Sequence, residues 1–157
     1  MNKTVNLDEY DKKIVTSMLE DSTISNVELA SKIGLAASSC LMRVKKLNNE
    51  KIITGYTAIV DEKKLGYDVT CFATVFMSPL NGETAAKFIE EVKHMPEVIE
   101  CYTITGNGSF LVKIIAKSFQ EYRDFVFNKL LTIPNVSNID SSIVVGVEKK
   151  TTQIPLD

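Results

Sequence analysis

The 157 residues contain a single histidine, His94, and three cysteines, and neither residue type is arranged for chemistry. Metal sites and acid–base pairs usually need histidine repeated or set beside a nucleophile, so no metal, no cofactor and no enzyme activity are expected. Cys40, Cys71 and Cys101 are odd in number, about thirty residues apart and never in a C-x-x-C pair. This argues against a disulfide framework and a zinc site, and the three are expected as small buried apolar residues. The chain also lacks charge of one sign: 18 Lys and Arg against 20 Asp and Glu leave a net −2. No global field draws it to nucleic acid or membrane, so any such contact must be local. Long hydrophobic runs are missing too, the apolar stretches falling far short of the ~20 residues that span a bilayer. Residues Met1 to Leu7 are polar, unlike a signal peptide, so a cytoplasmic location is expected.

What remains is an ordinary balance of 45% hydrophobic and 24% charged residues, suited to one or two globular domains. Leu7, Tyr10, Ile14, Met18 and Leu19 recur at helical spacing, with Asp8, Glu9 and Asp11 placed to favour the dipole of a first helix. Ser25-Asn26-Val27-Glu28 is a capping box opening a short second helix, and Gly34 can supply the left-handed residue that stops it. Cys40, Leu41, Val44 and Leu47 give a third helix from about Ala37 to Asn48. Two helices joined by a short glycine turn have the dimensions of a helix-turn-helix. Ile52, Ile53, Tyr56, Ala58 and Val60 then suggest a strand or wing.

Asp61-Glu62-Lys63-Lys64 is a polar run ending at Gly66, which divides the chain into a domain over 1–60, a linker over 61–68 and a second domain over 69–157. In the second domain Val69 to Met77 patterns as a strand, Thr84 to Met95 as a helix and Val98 to Thr105 as a strand. Asn107-Gly108 signals a hairpin into a strand from Ser109 to Ala116. Ser118 to Glu121 is a further capping box before a helix with Tyr122, Phe125, Val126 and Leu130, and Val136 to Val147 closes the set. The fold expected is α+β, a winged helix-turn-helix followed by a ferredoxin-like βαββαβ unit. Met95-Pro96-Glu97-Val98 and Ile133-Pro134-Asn135-Val136 are offset by 38 residues, as two βαβ halves would produce.

Off the apolar face of the third helix stand Ser38, Ser39, Met42, Arg43, Lys45 and Lys46. With Lys51 and against Glu50 the four cations give a local +3. Arg43 is the candidate for direct base readout, the serines and Met42 for supporting contacts, and Lys45, Lys46 and Lys51 for phosphates. Ser25, Asn26 and Ala37, at the starts of the two helices, complete the candidate DNA surface. On charge alone a solvated helix face is the simpler account, and a helix-turn-helix that binds protein, or an enzyme on the ferredoxin-like domain, remain open.

Leu7-Asp8 with Asp11 and Ile14, Ser25 to Ala30, Ile33-Gly34-Leu35, Cys40-Leu41 with Arg43-Val44 and Leu47, and Ile53 to Ala58 resemble the Lrp/AsnC, or feast/famine, transcriptional regulators. Nearly the whole chain is covered, Gly66 falling where that family carries its linker glycine. The resemblance implies double-stranded DNA as partner and a homodimer paired through the C-terminal sheets that assembles into a tetramer, octamer or larger. It also implies an amino-acid effector held between C-terminal domains, bordered here by Thr103, Thr105, Gly106, Asn107, Gly108, Ser109, Tyr122 and Ser142. Two positions depart from the family. Ala36 replaces a serine that would cap the third helix. The signature glycine-aspartate-aromatic-aspartate becomes Gly106-Asn107-Gly108-Ser109, which implies weak binding of an amino-acid effector or another ligand. Phe110, Phe119 and Phe125 are expected in the core or at oligomer contacts.

Overall fold

A computed structural model describes residues 5–156. They form two compact units, one from 5–59 together with 149–156 and the other Val60–Glu148.

The first unit contains α1 (Glu9–Glu20), α2 (Asn26–Ile33) and α3 (Ala37–Asn49). Asp8 caps α1 by accepting the Asp11 N–H at 2.9 Å. The capping box of α2 is complete: the Ser25 hydroxyl accepts the Glu28 N–H, and the Glu28 carboxylate accepts the Ser25 N–H. Gly34 ends α2 at φ 74°, a conformation glycine adopts without a Cβ penalty. The turn packs Ile14, Leu29, Ala30, Ile33, Cys40 and Leu47 into one core. Beyond α3 the expected wing is absent: 54–60 carry no strand and are exposed. Their alternation has no second strand among the described residues to pair with, and an isolated strand leaves its backbone groups unpaired. Residues 149–156, expected with the C-terminal domain, belong to the helical unit, where Leu156 lines a depression with α1 and α2.

α3 starts without a side-chain cap, because Ala36 stands at the N-cap position in extended conformation. Restoring a hydroxyl with Ala36→Ser should stabilise this unit by about 1 kcal/mol. Urea unfolding reads this as a higher midpoint at unchanged slope; an unmoved midpoint would mean that the first-turn N–H groups are already served.

The second unit runs β1 (Val69–Met77), α4 (Gly82–Lys93), β2 (Val98–Thr103), β3 (Phe110–Ala116), α5 (Phe119–Asn128) and β4 (Val136–Ile143). The strands form one antiparallel sheet in the order β2-β3-β1-β4. Alternate residues Cys71, Ala73, Val75 and Met77 of β1 and Phe110, Val112 and Ile114 of β3 are buried with Phe88, Val92, Phe125, Val126 and Leu130. The other sheet face carries Thr70, Phe72, Thr74, Leu111, Lys113, Glu100 and Tyr102, with Phe72 and Tyr102 exposed. α4 begins two residues earlier than its apolar pattern, since Asn81 caps it, and β4 stops four residues short of Val147. Ser118 accepts the Glu121 N–H, but the Glu121 carboxylate turns to the Lys117 N–H, so this box is only half closed. Cys40 and Cys71 are buried, whereas Cys101 is exposed because β2 is an edge strand.

Candidate nucleic-acid interface and effector loop

One face of α3 is free for a partner. Ser38, Met42 and Lys45 follow at i, i+4 and i+7, Ser39 stands beside them, and all four are exposed, Met42 by 66%. The first turn of α3 carries no acidic residue. Its N–H groups and two serine hydroxyls therefore present donors toward a polyanion. Lys51 is exposed just past the helix, at φ 58°. Ser25 is spent on capping α2. The Asn26 amide donates to the Ala37 carbonyl at 2.8 Å, so both residues tie the start of α2 to the start of α3, while Asn26 Oδ1 is buried without a hydrogen-bond partner.

Arg43, expected to face DNA, is turned toward α1 instead. Its Nη1 donates to Asp8 Oδ2 and to Asp11 Oδ1, each at 2.7 Å, and the guanidinium lies 5.4 Å from the centre of the Tyr10 ring. The Asp8 and Asp11 carboxylates hold the guanidinium charged beyond its ordinary value. The Asp11 N–H first and Arg43 second hold the Asp8 carboxyl below its usual range. Lys46 reaches the same Asp11 carboxylate at 3.5 Å. Helical spacing places Arg43 and Lys46 off the apolar face, but the acids they meet lie 32 and more residues away, beyond the reach of any local pattern.

The expected hairpin joins β2 to β3 through residues 104–109. Ile104 donates to the Ser109 carbonyl at 3.2 Å, and Gly106 and Gly108 hold φ of 97° and 115°. Gly108 presses on β1: a Cβ built there would lie 2.3 Å from Thr74 Cγ2. Ser109 is buried, its N–H donating to the Val75 carbonyl and its hydroxyl accepting the Met77 N–H at 3.2 Å. Thr103, Thr105 and Asn107 are exposed. Ser142 pairs with Phe72, two residues along β1 from Thr74 and on the same sheet face. Tyr122 lies on the opposite face, its phenol held by Cys71 and Ser141. The loop and Ser142 thus share a side of the sheet, and Tyr122 does not join them. Sequence reasoning missed Thr74, for which only the strand register gives a signal.

Burial first, then the Cys71 contact, push the Tyr122 phenol up to about 12, against a smaller lowering by Ser141. An unfolded tyrosine ionises near about 10, so the folded state holds this proton more tightly. The stability it contributes is complete below the unfolded value and is lost as pH rises through the folded one. In ultraviolet titration of the five tyrosines, one should ionise last and Tyr122→Phe should remove that step. A curve unchanged by the substitution would refute the assignment.

Among the described residues no group of three or more His, Cys, Asp and Glu is placed to hold a metal ion. No helix among them is long and apolar enough to cross a membrane.

A capped helix-turn-helix with an exposed donor-rich face, in a chain that also forms a four-stranded ferredoxin-like sheet, defines a two-domain protein of the helix-turn-helix class. The AsnC-type helix-turn-helix domain model matches residues 7–48, and the Lrp/AsnC ligand binding domain model matches 70–154. The chain belongs to the Lrp/AsnC family. It is 47% identical to the transcriptional regulator AzlB of Bacillus subtilis over 96% of both chains. It is 31% identical to a leucine-responsive regulatory protein of Rhizobium meliloti over 97% of both. Among solved structures, a transcriptional regulator from Neisseria meningitidis in complex with L-Met superposes with a TM-score of 0.93 at 29% identity, over 97% of this chain and 98% of that one. AsnC of Escherichia coli gives a TM-score of 0.88 at 26% identity, over 96% and 100%.

Proposed function

We propose that the chain is a sequence-specific DNA-binding transcriptional regulator, with no catalytic role, whose C-terminal domain binds a small amino-acid effector. The observation that carries the first part is the exposed row Ser38, Ser39, Met42 and Lys45 on α3, opposite the face that packs on α1 and α2. In a major groove the serines donate to phosphates or base edges, Met42 meets a thymine methyl, and Lys45 and Lys51 neutralise phosphates. Arg43 and Lys46 support from behind. Ser25, Asn26 and Ala37 act by holding the helix starts together.

A second copy supplies the symmetry. The sheet face with Phe72, Leu111 and the Lys113–Glu100 ion pair at 3.1 Å offers apolar area with a charged pair for a homodimer, which assembles further. Two copies of α3 one helical turn apart call for a roughly palindromic operator. The functional division then falls at 61–68, with the rest of the second unit, up to Glu148, as sensor and oligomerisation domain. Such a protein acts on DNA in the cytoplasm.

The effector reading rests on family membership and on the L-Met complex of the Neisseria relative. In this chain the loop around Gly106, Asn107 and Gly108, with Thr103, Thr105 and Ser142 at its border, offers backbone groups and hydroxyls where the family signature has carboxylates. An amino-acid ammonium therefore meets no loop carboxylate, and binding is weak.

Fluorescence anisotropy against a duplex from the protein's own promoter, at two salt concentrations and with a panel of amino acids, tests both parts. Specific, salt-dependent binding shifted by one amino acid supports them. Specific binding indifferent to the panel retires the effector, and no binding overturns the regulator. Lys45→Ala should weaken specific and scrambled duplexes alike and lower the salt slope by about 1.

A further inference from the structure

We propose that Asp11 is a positioning residue for DNA binding: its carboxylate clasps Arg43 and Lys46 and so fixes the angle at which α3 presents Ser38, Ser39, Met42 and Lys45. This rests on the DNA-binding reading above. Asp11 is 1% exposed and is the one acidic residue buried as a whole among the described residues. Such a group is tolerated only while its charge is paired, so α1 and α3 have one low-energy arrangement here, the one that keeps Arg43 at 2.7 Å and Lys46 at 3.5 Å.

The apolar contacts of Ile14 and Leu47 are non-directional and would allow α3 to slide or roll on α1. A charge-assisted hydrogen bond is directional and removes that freedom. Asp8 extends the clasp, because the same Arg43 Nη1 reaches its Oδ2 while its Oδ1 caps α1. The first turn of α1 is thus tied to the middle of α3, one turn from Ser39.

The sign of the Asp11→Asn effect separates this role from simple electrostatics. Removing a negative charge beside a polyanion site strengthens DNA binding if the carboxylate does nothing else. The clasp predicts the reverse. On the promoter duplex Asp11→Asn and Arg43→Ala should each weaken binding by about tenfold or more. The double variant should be little worse than either, because both break one contact. The salt slope of Arg43→Ala should match the wild type, since its charge faces Asp11 and not a phosphate.

Circular dichroism and urea unfolding establish that each variant is folded at the titration temperature. Should Asp11→Asn not fold, Arg43→Lys, which keeps the charge without the fork, tests the same contact from its other side and should weaken binding without changing the salt slope. Tighter or unchanged binding by Asp11→Asn, losses that multiply in the double variant, or a salt slope lowered by about 1 in Arg43→Ala would each overturn the clasp while leaving DNA binding in place. A wild-type protein that ignores its promoter would overturn the DNA-binding reading and the clasp with it.

Discussion

Replacing Phe88 by alanine is expected to destabilise the C-terminal unit by about 3–5 kcal/mol. Phe88 is fully buried on α4 and stacks on Phe110 of β3, with ring centroids 4.5 Å apart and planes at 27°. The substitution removes both the transfer free energy of the ring and the pair contact, and leaves a cavity between helix and sheet that the antiparallel ladder cannot close. Thermal unfolding followed by circular dichroism should show a midpoint lower by about 10 °C or more. The control is Phe127→Ala on α5, where the ring is 63% exposed and the same deletion should stay within about 0.5 kcal/mol. Equal losses for the two would refute the assignment of the core to the Phe88 side of the sheet.

Much of this fold was legible because its signals are local. The capping box at Ser25, the left-handed Gly34 and the period-2 burial of β1 and β3 each depend on residues within a few positions of one another. The element order follows from them. What failed depends on partners far along the chain. Arg43 stands off the apolar stripe of α3 and so looks solvent-facing, yet Asp8 and Asp11 capture it. Ile52 to Val60 have strand composition, but a strand forms only where another backbone accepts its hydrogen bonds. Cys101 has the alternation of a core residue in a strand whose place at the sheet edge is set by topology alone. The exposed face of α3 was therefore half legible. The exposed Ser38, Ser39, Met42 and Lys45 follow from helical spacing, whereas the fate of the cation among them required the third dimension.

The loop between β2 and β3 was legible as a departure from the resembled family but not as a geometry. Gly108 occupies the position of the signature's aromatic residue, and two observations make a side chain there costly. Its φ of 115° is one that L residues rarely adopt, and a Cβ would stand 2.3 Å from Thr74 Cγ2. Gly108→Ala should therefore destabilise this unit by about 2–4 kcal/mol, the sum of a backbone penalty and a steric one. Thr74→Ser removes the offending methyl and keeps the hydroxyl, so in the double variant the steric share, about half, should return while the backbone share stays. Urea unfolding of the two single variants and the double variant checks this. If Thr74→Ser recovers nothing, the close approach is not what fixes the loop. The same close approach sets the place of Ser109. With Gly108 lying flat on β1, the next residue is drawn under the strand, its N–H on Val75 and its hydroxyl on Met77, and a carboxylate there would be buried against two backbone groups instead of facing a ligand. Gly108, Ser109 and Thr74 are thus one packing solution.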